Sequence, residues 1–183
     1  MYRIKDDKRI RQSADLICKG LTECLKSSPM SEVNVSAIAQ ASGVSRATFY
    51  RIFDTPSDVL TLICDTMADD AIRSMEGTTP KGKYAILKFM IEFMMEHSDT
   101  LECLLKCGRP DMLHKSFSRL FDVALPSHVF ANLNPIETIY VKESIASFMC
   151  SMLFIWTKKG KRESADELIS LFKKVKWHDS NKD

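Results

Sequence analysis

Apolar residues recur along most of the chain at the three- and four-residue spacing of a helix that turns one face inward. Ile10, Ala14, Ile17, Cys18, Leu21 and Leu25 form one such stripe and predict a first helix over 8–26, ended by Ser27, Ser28 and Pro29. A second, short helix follows Asn34, whose side chain suits the capping of exposed amides. It carries Val35, Ile38 and Ala39 on one face and stops at Gly43, a residue able to take the left-handed conformation of a tight stop. Ser45 caps a third helix, 46–52, with Phe49 and Phe53 turned inward. Thr55, Pro56, Ser57 and Asp58 read as the start of a fourth, with Val59, Leu60, Ile63 and Met67 on its apolar side and an end near Glu76.

Five more helices are readable, at 83–97, 99–106, 110–125, 135–158 and 164–176, with breaks at Pro126 and 132–135. Within the penultimate one, ten of the twelve residues from Ile145 to Trp156 are apolar, so that segment needs cover on more than one face. The last helix has Leu168, Ile169, Leu171, Phe172 and Val175 on one side and Lys173, Lys174 and Lys176 in its closing turns. The tail after Trp177 is polar, the composition of a frayed end. The expectation is an all-α chain of about nine helices.

Composition agrees: 183 residues, 45% hydrophobic and 27% charged, are enough for a sizeable core. Six glycines and six prolines leave too few turn signals for many short strands. No run approaches the ~20 uninterrupted apolar residues of a membrane span, and the charged start has no signal-like apolar segment behind it. Those readings place the chain in the cytosol, with no membrane partner. The six cysteines (Cys18, Cys24, Cys64, Cys103, Cys107, Cys150) lie within apolar helical patterns and never as Cys-x-x-Cys, so they are expected to be reduced and buried. Cys103 and Cys107 share a helix face, but Gly108, Arg109 and Pro110 interrupt before His114 can join them. A zinc site is therefore not expected, and nothing nearby in sequence marks either sulfur for a lowered pKa.

The net charge of +2 conceals a gradient. Residues 1–53 carry nine Lys or Arg against five acids, and residues 54–76 one against six. A basic head is a mild signal for a polyanion partner. Gly77, Gly82 and Lys83 match the core of a phosphate-binding loop, but that loop follows a buried strand and is succeeded by Ser or Thr. Here an acidic helix precedes it and Tyr84 follows. A helical enzyme is disfavoured too: there is no serine elbow, no H-E-x-x-H, no dinucleotide loop, and His97, His114, His128 and His178 are scattered. Neither a cofactor nor a metal is expected.

A helix, a glycine turn and a second helix presenting Arg46, Thr48, Tyr50 and Arg51 outward is what reading a DNA major groove demands. Ile38-Ala39, Gly43-Val44-Ser45, Thr48-Phe49-Tyr50 and Phe53, at this spacing and behind an apolar helix, resemble the DNA-binding domain of the tetracycline-repressor (TetR) family of bacterial regulators. The resemblance spans about residues 9–60. Farther on, Tyr140, Phe148, Trp156 and Gly160 stand in an order similar to the short regulatory domain found in Firmicutes.

The resemblance implies a three-helix helix-turn-helix DNA-binding domain at 1–54, a connecting helix at 55–76, and a regulatory and dimerisation domain at 77–183. It implies a homodimer that binds double-stranded DNA at a near-palindromic operator as a ligand-responsive repressor. Candidate DNA-facing residues are Asn34, Ser36, Ser45, Arg46, Ala47, Thr48, Tyr50 and Arg51. Tyr50 would hydrogen-bond a phosphate, and Thr48 a phosphate or a thymine methyl; Arg46 can bond guanine O6 and N7 together. Arg51 and Ser36 suit the backbone, helped by the amide ends of the second and fourth helices. Phe49, Phe53 and Ile38 are expected in the core. The family's lysine near the start of the fourth helix is Pro56 here, so a phosphate contact is lost. Arg3, Lys5, Lys8 and Arg9 are candidates to compensate.

The resemblance also implies that the last two helices pair with those of a second copy, through Ile145, Phe148, Met149, Met152, Ile155, Trp156, Leu168, Leu171 and Phe172. Phe89, Met90, Phe93, Met94, Leu104, Phe117 and Phe121 are candidate lining for a small hydrophobic effector, although a Met and Phe stripe at this spacing is also ordinary core. The rival reading is a helical adaptor that binds another protein through 145–156 and no DNA.

Overall fold

The computed structural model describes residues 2–4, 7–75, 83–124 and 130–174. Lys5, the glycine-rich stretch at 77–82, Pro126, His128, Val175, Lys176, His178 and the tail from Trp177 lie outside the described residues. Within them the chain forms nine helices, α1 (Lys8–Ser27), α2 (Val35–Ser42), α3 (Arg46–Ile52), α4 (Pro56–Met75), α5 (Lys83–Glu96), α6 (Ser98–Lys106), α7 (Pro110–Ala124), α8 (Pro135–Lys158) and α9 (Ala165–Lys174). The all-α reading and the helix positions expected from periodicity hold to within a residue or two.

The chain folds as two compact units: Met1–Asp70 with Glu102–Ser116, and Ala71–Leu101 with Phe117–Asp183. In the first, α1 buries Ala14, Ile17, Leu21 and Leu25 against α2 and α3, and Ile38, Phe49, Ile52, Phe53 and Leu60 are fully buried with them. Two details are not visible in the periodicity. Gly20 lies where α1 meets α2, and a Cβ there would stand 2.8 Å from the Ser42 Cβ and 2.9 Å from the Ile38 carbonyl oxygen. The start of the chain is stitched to the end of α3. Tyr2 makes an antiparallel bridge with Phe53, the Arg3 amide donates to the Ile52 carbonyl at 2.8 Å, and the Tyr2 hydroxyl donates to Asp65 at 2.6 Å.

In the second unit, α5 packs on α8 and α9, burying Ile86, Met90 and Ile91 from α5 and Met149, Leu153 and Leu168 from α8 and α9. Phe148 stands edge-on to Phe172 at 5.0 Å, and Lys88 pairs with Asp166 at 2.6 Å. The turn between α8 and α9 takes positive φ at Gly160 and Lys161. It is closed by the Trp156 Nε1–H, which donates to the Glu163 carbonyl at 2.9 Å. By length and composition α8 is, among the described residues, the one helix able to cross a membrane. A count of uninterrupted apolar residues missed it because Glu137, Lys142 and Glu143 punctuate the helix. Lys142 pairs with Asp122 at 2.7 Å, and a charge of that kind at a bilayer centre costs about 2.5–3.5 kcal/mol.

Candidate nucleic-acid interface

The helix-turn-helix is built by three local devices. The Asn34 side-chain oxygen accepts the Ala37 amide at 3.0 Å and starts α2. Gly43 ends it at φ +68°, in the left-handed region, and the Val44 amide returns to the Ala39 carbonyl at 3.2 Å. The Ser45 hydroxyl accepts the Thr48 amide at 3.1 Å and donates to the Thr48 hydroxyl at 3.0 Å, starting α3. Asn34 and Ser45 thus spend one acceptor each on holding helix ends.

With Phe49 and Ile52 completely buried, the opposite side of α3 is forced outward, and Arg46, Ala47, Tyr50 and Arg51 are exposed there. Tyr50 is 48% exposed, its ring edge-on to Phe49 at 5.6 Å. Thr48 is half-buried, and Ser36 is exposed in the first turn of α2. Among the described residues no acidic side chain engages the guanidinium of Arg46 or of Arg51. The surface is therefore a short rod carrying two free cations and a phenol, a chemistry suited to phosphates and guanine edges.

Two expected contributors are otherwise engaged. Arg3 is held by Asp54 at 2.6 Å, and that bond keeps the Asp54 carboxyl below the usual carboxylate range. The guanidinium offered for a DNA backbone is thus already partnered. The start of α4 carries Asp54 and Asp58, and Asp58 accepts the Thr55 amide at 2.8 Å while the Thr55 hydroxyl accepts the Asp58 amide at 3.3 Å. Pro56 has no amide hydrogen. That helix end is occupied and negatively flanked, so it offers a phosphate little; a Thr-x-x-Asp box in the sequence is the signal that marks it.

The remaining candidates divide by burial. Of the effector set, Met90, Phe93, Met94, Leu104, Phe117 and Phe121 are buried and Phe89 is half-buried; Leu104 belongs to the first unit and the others to the second. Of the dimer set, Met149, Met152, Trp156, Leu168 and Phe172 are buried in the chain's own core, Ile145 and Phe148 are half-buried, and Ile155 and Leu171 are 60% and 48% exposed. Ile155 and Leu171 flank a groove of about 240 Å³ between α8 and α9, with Phe148, Met152, Trp156 and Leu168 in its walls. Ile136, Ile139 and Tyr140 are also exposed, near the start of α8, and were not among the sequence candidates. Their signal was the same helical spacing, in the turns of α8 before the apolar segment at 145–156.

No protein-family model matches the chain, and no curated protein matches it. Solved structures do. The protein Lin0861 of Listeria innocua superposes with a TM-score of 0.78 at 12% identity, covering 94% of this chain and 93% of that one. A TetR transcriptional regulator from Streptococcus agalactiae gives 0.66 at 16% identity, covering 91% and 94%. The transcriptional regulator FadR from Bacillus subtilis, solved in complex with stearoyl-CoA, gives 0.59 at 14% identity, covering 88% and 96%. With its helix order matched over nearly the whole length and a glycine-cornered helix-turn-helix at its head, this chain has the fold of the TetR family of transcriptional regulators.

Proposed function

We propose that the chain is a cytoplasmic, sequence-specific DNA-binding transcription regulator that acts as a homodimer on a near-palindromic operator and is released by a small hydrophobic effector. The observation that carries this reading is the outer side of α3, where Arg46, Tyr50 and Arg51 are exposed and, among the described residues, no acidic side chain pairs with either arginine. In this reading Arg46 bonds O6 and N7 of one guanine per half-site, Tyr50 and Arg51 hold phosphates, and Ala47 and Thr48 meet the groove floor or a thymine methyl. Ser36 and the amides at the start of α2 add backbone contacts. Asn34 and Ser45 cap the starts of the two helices.

A second copy supplies the other half-site. Ile155 and Leu171, with the half-buried Ile145 and Phe148, offer an apolar surface on α8 and α9 for that pairing. The Met- and Phe-rich interior of α5 and α7 suits an apolar effector, and the fold likeness to a regulator holding stearoyl-CoA supports that choice of chemistry. Release follows from linkage: an effector that prefers a conformation unable to seat both reading helices lowers DNA affinity by its preference between the two states.

The test is selection of bound fragments from random duplexes, repeated with Arg46→Ala and Tyr50→Ala. Arg46→Ala relaxes preference at one base pair of each half-site, a loss of about 1–3 kcal/mol of discrimination. Tyr50→Ala weakens all sequences alike. Affinity of the unaltered protein falls at least about tenfold between 50 and 200 mM salt. If no duplex is bound in a salt-dependent way, the adaptor reading takes its place; if Arg46→Ala leaves the selected sequence unchanged, base reading lies elsewhere.

A further inference from the structure

The head of the chain is held in a way that the DNA-facing residues do not account for. α3 is a seven-residue helix, and isolated helices below about 12–15 residues are marginal in water. Its two ends are secured differently. The start is capped by the Ser45 hydroxyl. The end has no glycine corner: Phe53 leaves it extended, at φ −127° and ψ 145°, and the carbonyls of a last turn have no partner within their own helix. Residues 2 and 3 supply what is missing. The Arg3 amide donates to the carbonyl of Ile52, the final residue of α3, at 2.8 Å, and Tyr2 pairs antiparallel with Phe53. The Tyr2 ring stands 6.4 Å from the ring of Phe53, which is fully buried.

The same two residues reach the next helix. The Tyr2 hydroxyl donates to Asp65 Oδ2, midway along α4, at 2.6 Å, a short bond to a carboxylate in a half-buried place. The Arg3 guanidinium bonds Asp54, in the link between α3 and α4, at 2.6 Å. That pair is exposed on both sides and contributes little to stability, but it neutralises the carboxylate that follows α3 and sets a cation by the negative end of the helix. α3 itself packs on α1 and α2. Residues 2 and 3 are thus a separate tie, from the end of α3 to the middle of α4.

We propose that Tyr2 is a positioning residue for DNA binding, an inference that rests on α3 being the reading helix: with the Arg3 backbone it braces the end of α3 against α4, and the segment does not itself grip the duplex. Tyr50 and Arg51 stand in the last turn of α3, and their side chains take their direction from that turn. Only while it stays helical can they meet phosphates as Arg46 meets a base. An unbraced end frays, and the apparent affinity falls by the fraction of chains in which the turn is formed. Arg3, which the sequence offers as a compensating phosphate contact, acts here through its amide, while its side chain is spent on Asp54.

The experiment uses the full chain and the duplex it selects from random sequences. Tyr2→Phe keeps the ring and removes the bond to Asp65. One hydrogen bond to a charged acceptor biases the brace by about tenfold or more, so affinity for the selected duplex is expected to fall about three- to tenfold. Related duplexes lose the same factor, and the salt dependence of affinity is unmoved because no phosphate contact is removed. With Asp65→Leu already in place, Tyr2→Phe costs nothing more; Asp65→Asn, which keeps an acceptor oxygen, retains more affinity than Asp65→Leu. Arg3→Ala combined with Asp54→Ala removes the exposed pair without changing net charge, and it too leaves the salt dependence unmoved. In the unaltered chain without DNA, the Arg3 amide exchanges with deuterium more slowly than an unbonded amide, and Tyr2→Phe releases it. The proposal is overturned if Tyr2→Phe lowers thermal stability but leaves affinity intact, if the Arg3 and Asp54 double variant lowers the salt slope by about one, as loss of a phosphate contact does, or if the Arg3 amide is unprotected. A chain that selects no duplex sinks the DNA reading and the brace together; one that selects a duplex and binds it equally well as Tyr2→Phe sinks the brace alone. Because exchange at Arg3 is measured on the unaltered chain, a variant that fails to fold cannot hide the answer.

Discussion

A glycine inside a helix sacrifices about 1 kcal/mol relative to alanine, so Gly20 in the middle of α1 needs a compensating gain. The gain is the close approach of α2: the space a methyl group would take is filled by the Ser42 Cβ and by backbone atoms of Ile38 and Ser42. Gly20→Ala is therefore expected to destabilise despite its better helix propensity, by up to about 2 kcal/mol net once overpacking is set against that propensity. Urea unfolding followed by circular dichroism measures it, and an unchanged or raised midpoint would show that α2 can retreat freely. Gly43 is the contrasting case. Nothing lies within 4 Å of its Cβ position, so Gly43→Ala costs only for its φ of +68°, about 1 kcal/mol, and Gly43→Asn costs less.

Elements are begun by carboxylates that reach back to their own caps. Glu137 accepts the Asn134 amide at 2.8 Å at the head of α8, and Glu167 accepts the Ser164 amide at 2.7 Å and hydroxyl at 2.8 Å at the head of α9. The bonds from the Ser164 backbone, then from its hydroxyl, hold the Glu167 carboxyl below the usual glutamate range. Its folded pKa is depressed, so the stabilisation is present above the ordinary glutamate value and disappears as the pH falls through the lower, folded one. Glu167→Gln is expected to be less stable than the unaltered chain at neutral pH. The difference between the two should shrink to nothing in acid, measured by thermal unfolding across pH; a difference independent of pH would show that the carboxylate charge plays no part. The α3–α4 corner follows the same logic, since Asp58 occupies amides that would otherwise face solvent.

At the scale of the whole molecule, large apolar side chains remain in water on α8 and α9: Ile136, Ile139, Tyr140, Ile155 and Leu171 are between 48% and 71% exposed. Several large apolar side chains left exposed on the same two helices suit a partner surface. In the proposed homodimer, Ile155→Glu places a charge in the pairing surface without replacing a buried residue. Sedimentation equilibrium should show the unaltered chain as a dimer and Ile155→Glu as a monomer of unchanged helicity. If the unaltered chain sediments as a monomer at all concentrations, the exposed face serves another partner, and the two reading helices lose the reason for their pairing.

Helix positions, caps and the outward face of α3 were legible in the sequence because each depends on residues within one or two turns: a period of 3.6, an Asn or Ser before an apolar run, a glycine where φ must be positive. Only tertiary structure could decide what depends on residues far apart in the chain. The pairing of Arg3 with Asp54 joins positions 51 residues apart and that of Tyr2 with Asp65 positions 63 apart, and no local window contains either. The same holds for Gly20 against α2, and for the burial that leaves Met149 inside its own core and Ile155 in water on one helix. Periodicity says that a residue faces inward; which neighbour it meets, and whether a charge is free or already partnered, is settled by packing, since close-packed interiors admit few arrangements of the same stripes.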